Sequence, residues 1–175
     1  MKTQNFQAPR GTSDILPEDQ KYWRYFHNKA EVTASLFGYQ RIDTPTFEDT
    51  ALFHKGTGET TDIIEKETYT FEDRGGDLLT LRPEGTPPVC RAYLENGMHN
   101  LPQPVRLYYT GPFYRYDRPQ SGRYRQLHQF GIELIGDPDP SADAEVIEVA
   151  WRLLHSMGLK DSSLLLNYSI SEITF

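Results

Sequence analysis

Polar and apolar positions alternate most clearly over 128–134, where His128, Phe130, Ile132 and Leu134 interleave with Gln129, Gly131 and Glu133. Side chains along a strand point to opposite faces in turn. The run is therefore predicted to be a strand with one face apolar after His128 and one polar face, on which a glycine sits between an amide and a carboxylate. That polar face is either an ordinary solvent-facing side or the floor of a small-ligand site. In the second case Gly131 leaves room for close approach and Glu133 accepts from an ammonium group. Shorter runs at 67–72 and 78–81 flank Asp73-Arg74-Gly75-Gly76-Asp77 and predict a hairpin. Residues 39–47 also alternate, but Pro45 confines that strand to an edge or an interface. A further strand is expected over 105–109, leading through Gly111 into the arginine-rich stretch.

Helical spacing comes in three places. Trp23, Phe26, Ala30 and Phe37 form a core stripe. Pro17 is placed to open that helix, Glu18 and Asp19 to sit in its positive first turn, and Gly38 to end it in a left-handed conformation. A short helix is expected at 51–54. Residues 82–86 lead into a helix with Pro87 and Pro88 in its first turn, running to about Asn96 before Gly97. After the break at 137–140, Ser141 is expected to cap a last helix with Val146, Ala150, Leu153, Leu154 and Met157 on its apolar face. Residues 164–166 read as the start of another strand. Antiparallel strands with helices packed on them give an α+β fold, a mainly antiparallel sheet flanked by helices.

Composition narrows the class. A chain of 175 residues has room for one domain with a real core. A formal charge of −7 argues against a protein that coats nucleic acid non-specifically, because that affinity comes from neutralised phosphates. The lone Cys90 cannot make an internal disulfide and no cysteine pair has zinc spacing, which suits a reduced compartment. With no signal-type N-terminus and no run of 18 apolar residues, the expectation is a soluble, cytoplasmic protein without a membrane partner.

The candidate chemistry lies in 113–136, FYRYDRPQSGRYRQLHQFGIELIG. Arg115, Arg118, Arg123 and Arg125 stand on either side of a turn marked by Pro119, Ser121 and Gly122, so a hairpin brings several guanidinium forks together. Such forks suit a polyphosphate, or the charge that develops in phosphoryl or nucleotidyl transfer; the alternative is a solvated basic hairpin. Tyr114, Tyr116 and Tyr124 beside these arginines serve either base stacking or sheet packing. Glu84 and Thr86 at a helix mouth are, on residue chemistry alone, ordinary caps. His54 is either a ligand or incidental.

The run from Tyr114 resembles the second signature motif of class II aminoacyl-tRNA synthetases in its histidyl-tRNA synthetase form, where an arginine-bearing hairpin holds ATP and the next strand holds histidine. TLRPEGTPPVCRA (80–92) resembles that family's amino-acid loop, and APRGTSDILP (8–17) its N-terminal signature. Gly38, Tyr39, Ile42 and Pro45 match the first class II motif, which implies a homodimer. The resemblance further implies ATP with Mg2+ as substrate and no organic cofactor, with histidine and the histidine tRNA as partners. It assigns Arg115 to catalysis at the α-phosphate, and Arg115, Asp117, Arg123 and Leu127 to ATP. Glu84, Thr86, Gln129 and Glu133 fall to histidine, with the two carboxylates able to share one ammonium ion, and Gln120 to the tRNA acceptor end.

Two positions depart from the family pattern: Asp117 replaces a glutamate, and Leu127 replaces a phenylalanine that stacks on adenine. Losing that stacking weakens nucleotide binding by about 1–3 kcal/mol. The third class II motif with its second catalytic arginine, the histidine-specific signature before it and the anticodon-binding domain have no counterpart. Residues 1–175 are thus expected to be a partial catalytic domain, weak or inactive alone. Two other readings stand beside a histidine–tRNA ligase fragment: a non-catalytic, histidine-binding regulatory paralogue of histidine biosynthesis, and a dimerising remnant without activity.

Overall fold

The alternating run at 128–134 folds as the core of β6 (Gln126–Ile135), paired antiparallel along its whole length with β5 (Val105–Tyr114). The computed structural model describes residues 6–55, 67–116 and 123–165. Its other elements, in chain order, are α1 (Gln20–Leu36), β1 (Gln40–Arg41), β2 (Phe47–Asp49), α2 (Thr50–Lys55), β3 (Tyr69–Glu72), β4 (Leu78–Leu81), α3 (Thr86–Glu95), a 3-10 turn (Met98–Asn100) and α4 (Pro140–Ser156). The strands make two three-stranded sheets, β1-β5-β6 and β2-β4-β3, antiparallel except for the β1–β5 pair.

The apolar face of β6 is covered by helices. Ala34 of α1, Tyr39, Tyr108 of β5 and Val149 of α4 form a buried cluster against which Phe37, Phe130, Ile132 and Leu134 pack. Each large side chain taken from water there contributes about 1.5–3 kcal/mol. The end of α1 feeds directly into this cluster. Gly38, at φ 78°, donates to the Ser35 carbonyl and Tyr39 to that of Ala34, both at 3.0 Å. This closed C-terminal turn sets Tyr39 against Ala34.

Arg82 joins the two sheets. Its backbone amide donates to the Thr46 carbonyl at 2.9 Å and its carbonyl accepts from Tyr114 at 3.0 Å. The residue is only 8% exposed, and its side chain donates from Nε to the Pro112 carbonyl (3.1 Å) and from Nη1 to the carbonyl (2.9 Å) and hydroxyl (3.0 Å) of Thr44. The guanidinium also lies 4.6 Å over the Phe113 ring.

Several sequence expectations are corrected. Residues 17–19 form a turn, and α1 starts at Gln20 with Asp19 as its N-cap and no acid in its first turn. The strand expected over 39–47 is cut in two: Pro45 has no amide to donate, and the Thr44 carbonyl is taken by Arg82, so β1 ends at Arg41 and β2 starts in the other sheet. Asp139, not Ser141, caps α4, its side chain accepting from the Ser141 amide at 2.8 Å with Pro140 in the first turn. The buried face of α4 carries Ala142, Val149 and Leu153, while Ala150 and Leu154 are exposed. Glu145 shares that inner face because Arg106 of β5 binds it in a fork at 2.8 and 2.9 Å, and this charge obscures the stripe in the sequence. No strand forms through Leu165, and Leu166 lies outside the described residues.

Candidate functional site

The face of β6 turned away from α1 and α4 carries Leu127, Gln129, Gly131 and Glu133. The register sets them opposite Phe113, Gly111, Tyr109 and Leu107 of β5. The space over Gly131 is not left for a ligand, as the sequence suggested. The Tyr109 ring fills it, wedged so closely between Gly131 and Gly85 that a β-carbon on either glycine would fall on ring atoms. The aromatic ring thus covers a backbone position that has no side chain of its own. Tyr109 is the functional candidate that sequence reasoning missed. The available signal was its place directly across from Gly131, which becomes visible only once the strand register is known.

Around that ring the polar groups converge. The Thr86 hydroxyl donates to Glu133 Oε1 at 2.8 Å, and the Tyr109 hydroxyl donates to the same oxygen at 3.4 Å. Thr86 therefore does not cap its helix; α3 begins from Gly85 without a side-chain cap. Burial raises the Glu133 pKa above its usual value, the Thr86 and Tyr109 hydrogen bonds oppose the rise, and the charge of Glu84 adds to it. The Tyr109 hydroxyl is pushed up to about 12, first by burial and then by Glu133. Two carboxylates that feel each other, with hydroxyl donors aimed at one of them, form a site that gains from a cation.

The guanidinium side is joined to this cluster by one loop. Arg115 Nε donates to the Pro83 carbonyl at 2.9 Å, two residues before Gly85 and three before Thr86. Residues 82–86 thus touch Arg82's sheet junction, Arg115 and Glu133 in succession. Arg123 is exposed at the start of the last described segment, and Gln129 is half-buried. Leu127, also half-buried, lines a cleft of about 380 Å³ with Ser13, Ile15, Trp23, Tyr124, Gln126 and His128. Asp117, Arg118 and Gln120, with the hairpin turn itself, lie outside the described residues. Arg125 Cζ lies over the Tyr116 ring, 4.2 Å from its centre, which engages one face of that ring. His54 is half-buried on α2; among the described residues no three His, Cys, Asp or Glu side chains are grouped to hold a metal ion. No helix among them is long and apolar enough to cross a membrane.

A mainly antiparallel sheet with helices on one face, and a carboxylate cluster tied by a loop to an arginine hairpin on the other, is the arrangement expected of a class II synthetase core. Residues 11–172 match the model of a family described as histidyl-tRNA synthetase. The chain is 63% identical over 162 residues to a histidine–tRNA ligase of Dehalococcoides mccartyi, covering 93% of this chain and 39% of that protein. Against a histidine–tRNA ligase of Geobacillus kaustophilus the identity is 53% over 163 residues, covering 93% and 38%. Among solved structures it is similar to the apo histidyl-tRNA synthetase of S. aureus, with a TM-score of 0.76 and 44% identity over 89% of this chain and 36% of that one. A protein of Bacillus halodurans described as an ATP phosphoribosyltransferase regulatory subunit/histidyl-tRNA synthetase also gives a TM-score of 0.76, at 32% identity over 91% and 40%. The chain belongs to the histidyl-tRNA synthetase family. It spans about 39% of the length of the Dehalococcoides mccartyi relatives.

Proposed function

We propose that the chain is the ATP- and histidine-binding part of a histidine–tRNA ligase, a partial class II catalytic domain. The observation that carries this reading is the 82–86 loop, which holds Arg115 at Pro83 and Glu133 at Thr86 and so makes the guanidinium and carboxylate sites neighbours. Glu133 and Glu84, with Thr86 and Gln129, receive histidine; its ammonium relieves the repulsion between the two carboxylates. Tyr109 forms the wall against which it rests. ATP enters as its Mg2+ complex, with Arg115 at the α-phosphate, Arg123 at the outer phosphates, Leu127 against the adenine face and Asp117 at the adenine edge.

The reaction is attack by a histidine carboxylate oxygen on the α-phosphorus, with pyrophosphate leaving, and then transfer of the histidyl group to the terminal ribose of the histidine tRNA. The nucleophile belongs to the substrate. The protein's part is to align the two reactants and to balance charge at phosphorus, which is what an arginine beside a carboxylate-lined pocket does. Gln120 is assigned to the acceptor end by the resemblance alone. Homodimerisation through the α1–β1 region is supported by exposed Val32 (51%) and Leu36 (77%) on α1.

The test is histidine-dependent exchange of pyrophosphate into ATP by the chain, beside separate binding of each ligand. Arg115→Ala is expected to abolish ATP binding with the fold intact, and Glu133→Ala to weaken histidine more than ATP. Unchanged ATP affinity in Arg115→Ala contradicts the assignment. Similarity to the Bacillus halodurans protein supports a second reading, a histidine-binding regulatory subunit. Histidine binding without any ATP binding favours that one.

A further inference from the structure

The arm that precedes α1 is fastened to the base of the arginine hairpin. The Gly11 carbonyl accepts from two successive amides, Arg125 at 2.7 Å and Gln126 at 3.3 Å. Its direction is fixed by a tight turn in which the amide and the hydroxyl of Thr12 donate to the Pro9 carbonyl, at 3.0 and 2.7 Å. Gly11 has φ 83°, and a β-carbon there would come to 2.8 Å from Cγ and 3.0 Å from Cδ of Arg125. The arm's backbone therefore lies directly on the aliphatic stem of Arg125, and only glycine allows it.

From there the contacts run into the site. The Arg125 guanidinium stacks on the Tyr116 ring at 4.2 Å, and Tyr69 of β3 meets that ring edge-on at 5.6 Å. The Tyr116 amide donates to the Glu67 carbonyl at 2.7 Å, and the Arg115 amide to the Arg125 carbonyl at 2.9 Å. Arg115 is thus held on its backbone side by Arg125 and on its side-chain side by Pro83. A guanidinium fork binds phosphate oxygens directionally, so the angle at which its backbone enters the site matters as much as its charge.

We propose that residues 9–12 are a positioning strap for the nucleotide half of the site: Gly11 seats Arg125 on Tyr116, and Arg125 sets the register in which Arg115 meets a polyphosphate. This rests on the ATP reading above and extends it to residues that contact no ligand in that reading. Arg125 is a positioning residue, and its cation–π seat explains why an arginine rather than a lysine suits the place.

The experiment titrates Mg2+–ATP and, separately, histidine into the 175-residue chain carrying Gly11→Ala, Tyr116→Leu or Arg115→Ala. Gly11→Ala and Tyr116→Leu are each expected to weaken ATP binding about tenfold, the penalty of a misplaced contact, and to leave histidine affinity within about twofold. Tyr116 is 51% exposed, so its variant removes the stack with little risk to folding and serves if Gly11→Ala does not fold. ATP affinity unchanged in both, or equal losses for both ligands, overturns the strap. Loss in Gly11→Ala without loss in Tyr116→Leu overturns the relay through Arg125. Arg115→Ala separates the two levels: if it leaves ATP binding unchanged, or the unaltered chain binds no ATP, the ATP reading falls and the strap with it. Loss in Arg115→Ala alone overturns only the strap.

Discussion

Replacing Arg82 by methionine tests the junction between the sheets. The substitution keeps an unbranched stem but removes the guanidinium, and with it the donors to the carbonyls of Thr44 and Pro112 and the cation over the Phe113 ring. Each buried acceptor left without a partner costs about 1–3 kcal/mol. Removing a charge that is itself expensive to bury offsets part of that. The net expectation is a loss of about 2–4 kcal/mol. With an m value of about 2 kcal/mol/M in urea, the unfolding midpoint falls by about 1–2 M, with the slope unchanged, followed by tryptophan fluorescence and far-ultraviolet circular dichroism. Arg82→Lys should lose a similar amount, because a single ammonium group lacks the fork that reaches Pro112 from one nitrogen and Thr44 from another. If the methionine variant unfolds within about 0.2 M of the parent, Arg82 does not join the sheets and the reasoning fails.

Two further perturbations address the carboxylate pocket. Gly131→Ala should evict the Tyr109 ring from its seat and lower histidine affinity more than ATP affinity; retention of histidine binding would show that the ring does not form the pocket wall. The raised Glu133 pKa carries a definite sign. Its protonated form is favoured by folding, so its contribution to stability is fully present below about 4.5 and is lost as pH rises through the higher folded value. Glu133→Gln should therefore gain stability relative to the parent across that window, read by thermal unfolding at stepped pH. An unchanged difference at every pH counts against a buried, charge-crowded Glu133.

The elements were legible where one period dominated. The faces of β6, the stripe of α1 ending at Gly38, and the two prolines at the start of α3 all follow from local chemistry. Apart from the two helix starts, which are local, the failures share a cause, a partner distant in sequence. Arg82 reads as one more charged residue beside a proline, and nothing local says that Thr44 and Pro112 will come to it. The α4 stripe is obscured by Glu145, which shares its inner face in an ion pair with Arg106. In the candidate site, the alternation of the strand points to Glu133 and the resemblance to Thr86, and the structure supplies their hydrogen bond. Tyr109 needed the strand register to reveal it, since the glycine it covers belongs to the neighbouring strand.

The one parallel pairing among the described residues, β1 with β5, brings Gln40 beside Leu107 and the Ile42 amide to the Tyr108 carbonyl. Closing so long a loop carries a larger entropic cost than zipping β5 to β6 across a short connection. The fold therefore has two ranges built into it. The strands that bear the candidate site are joined by neighbours along the chain, whereas the unit carrying Tyr39 and Ile42 is attached by contacts that span more than a third of the chain's length. The strand pair beneath the candidate site is the short-range part of the sheet, and the segment with Tyr39 and Ile42 is its long-range part.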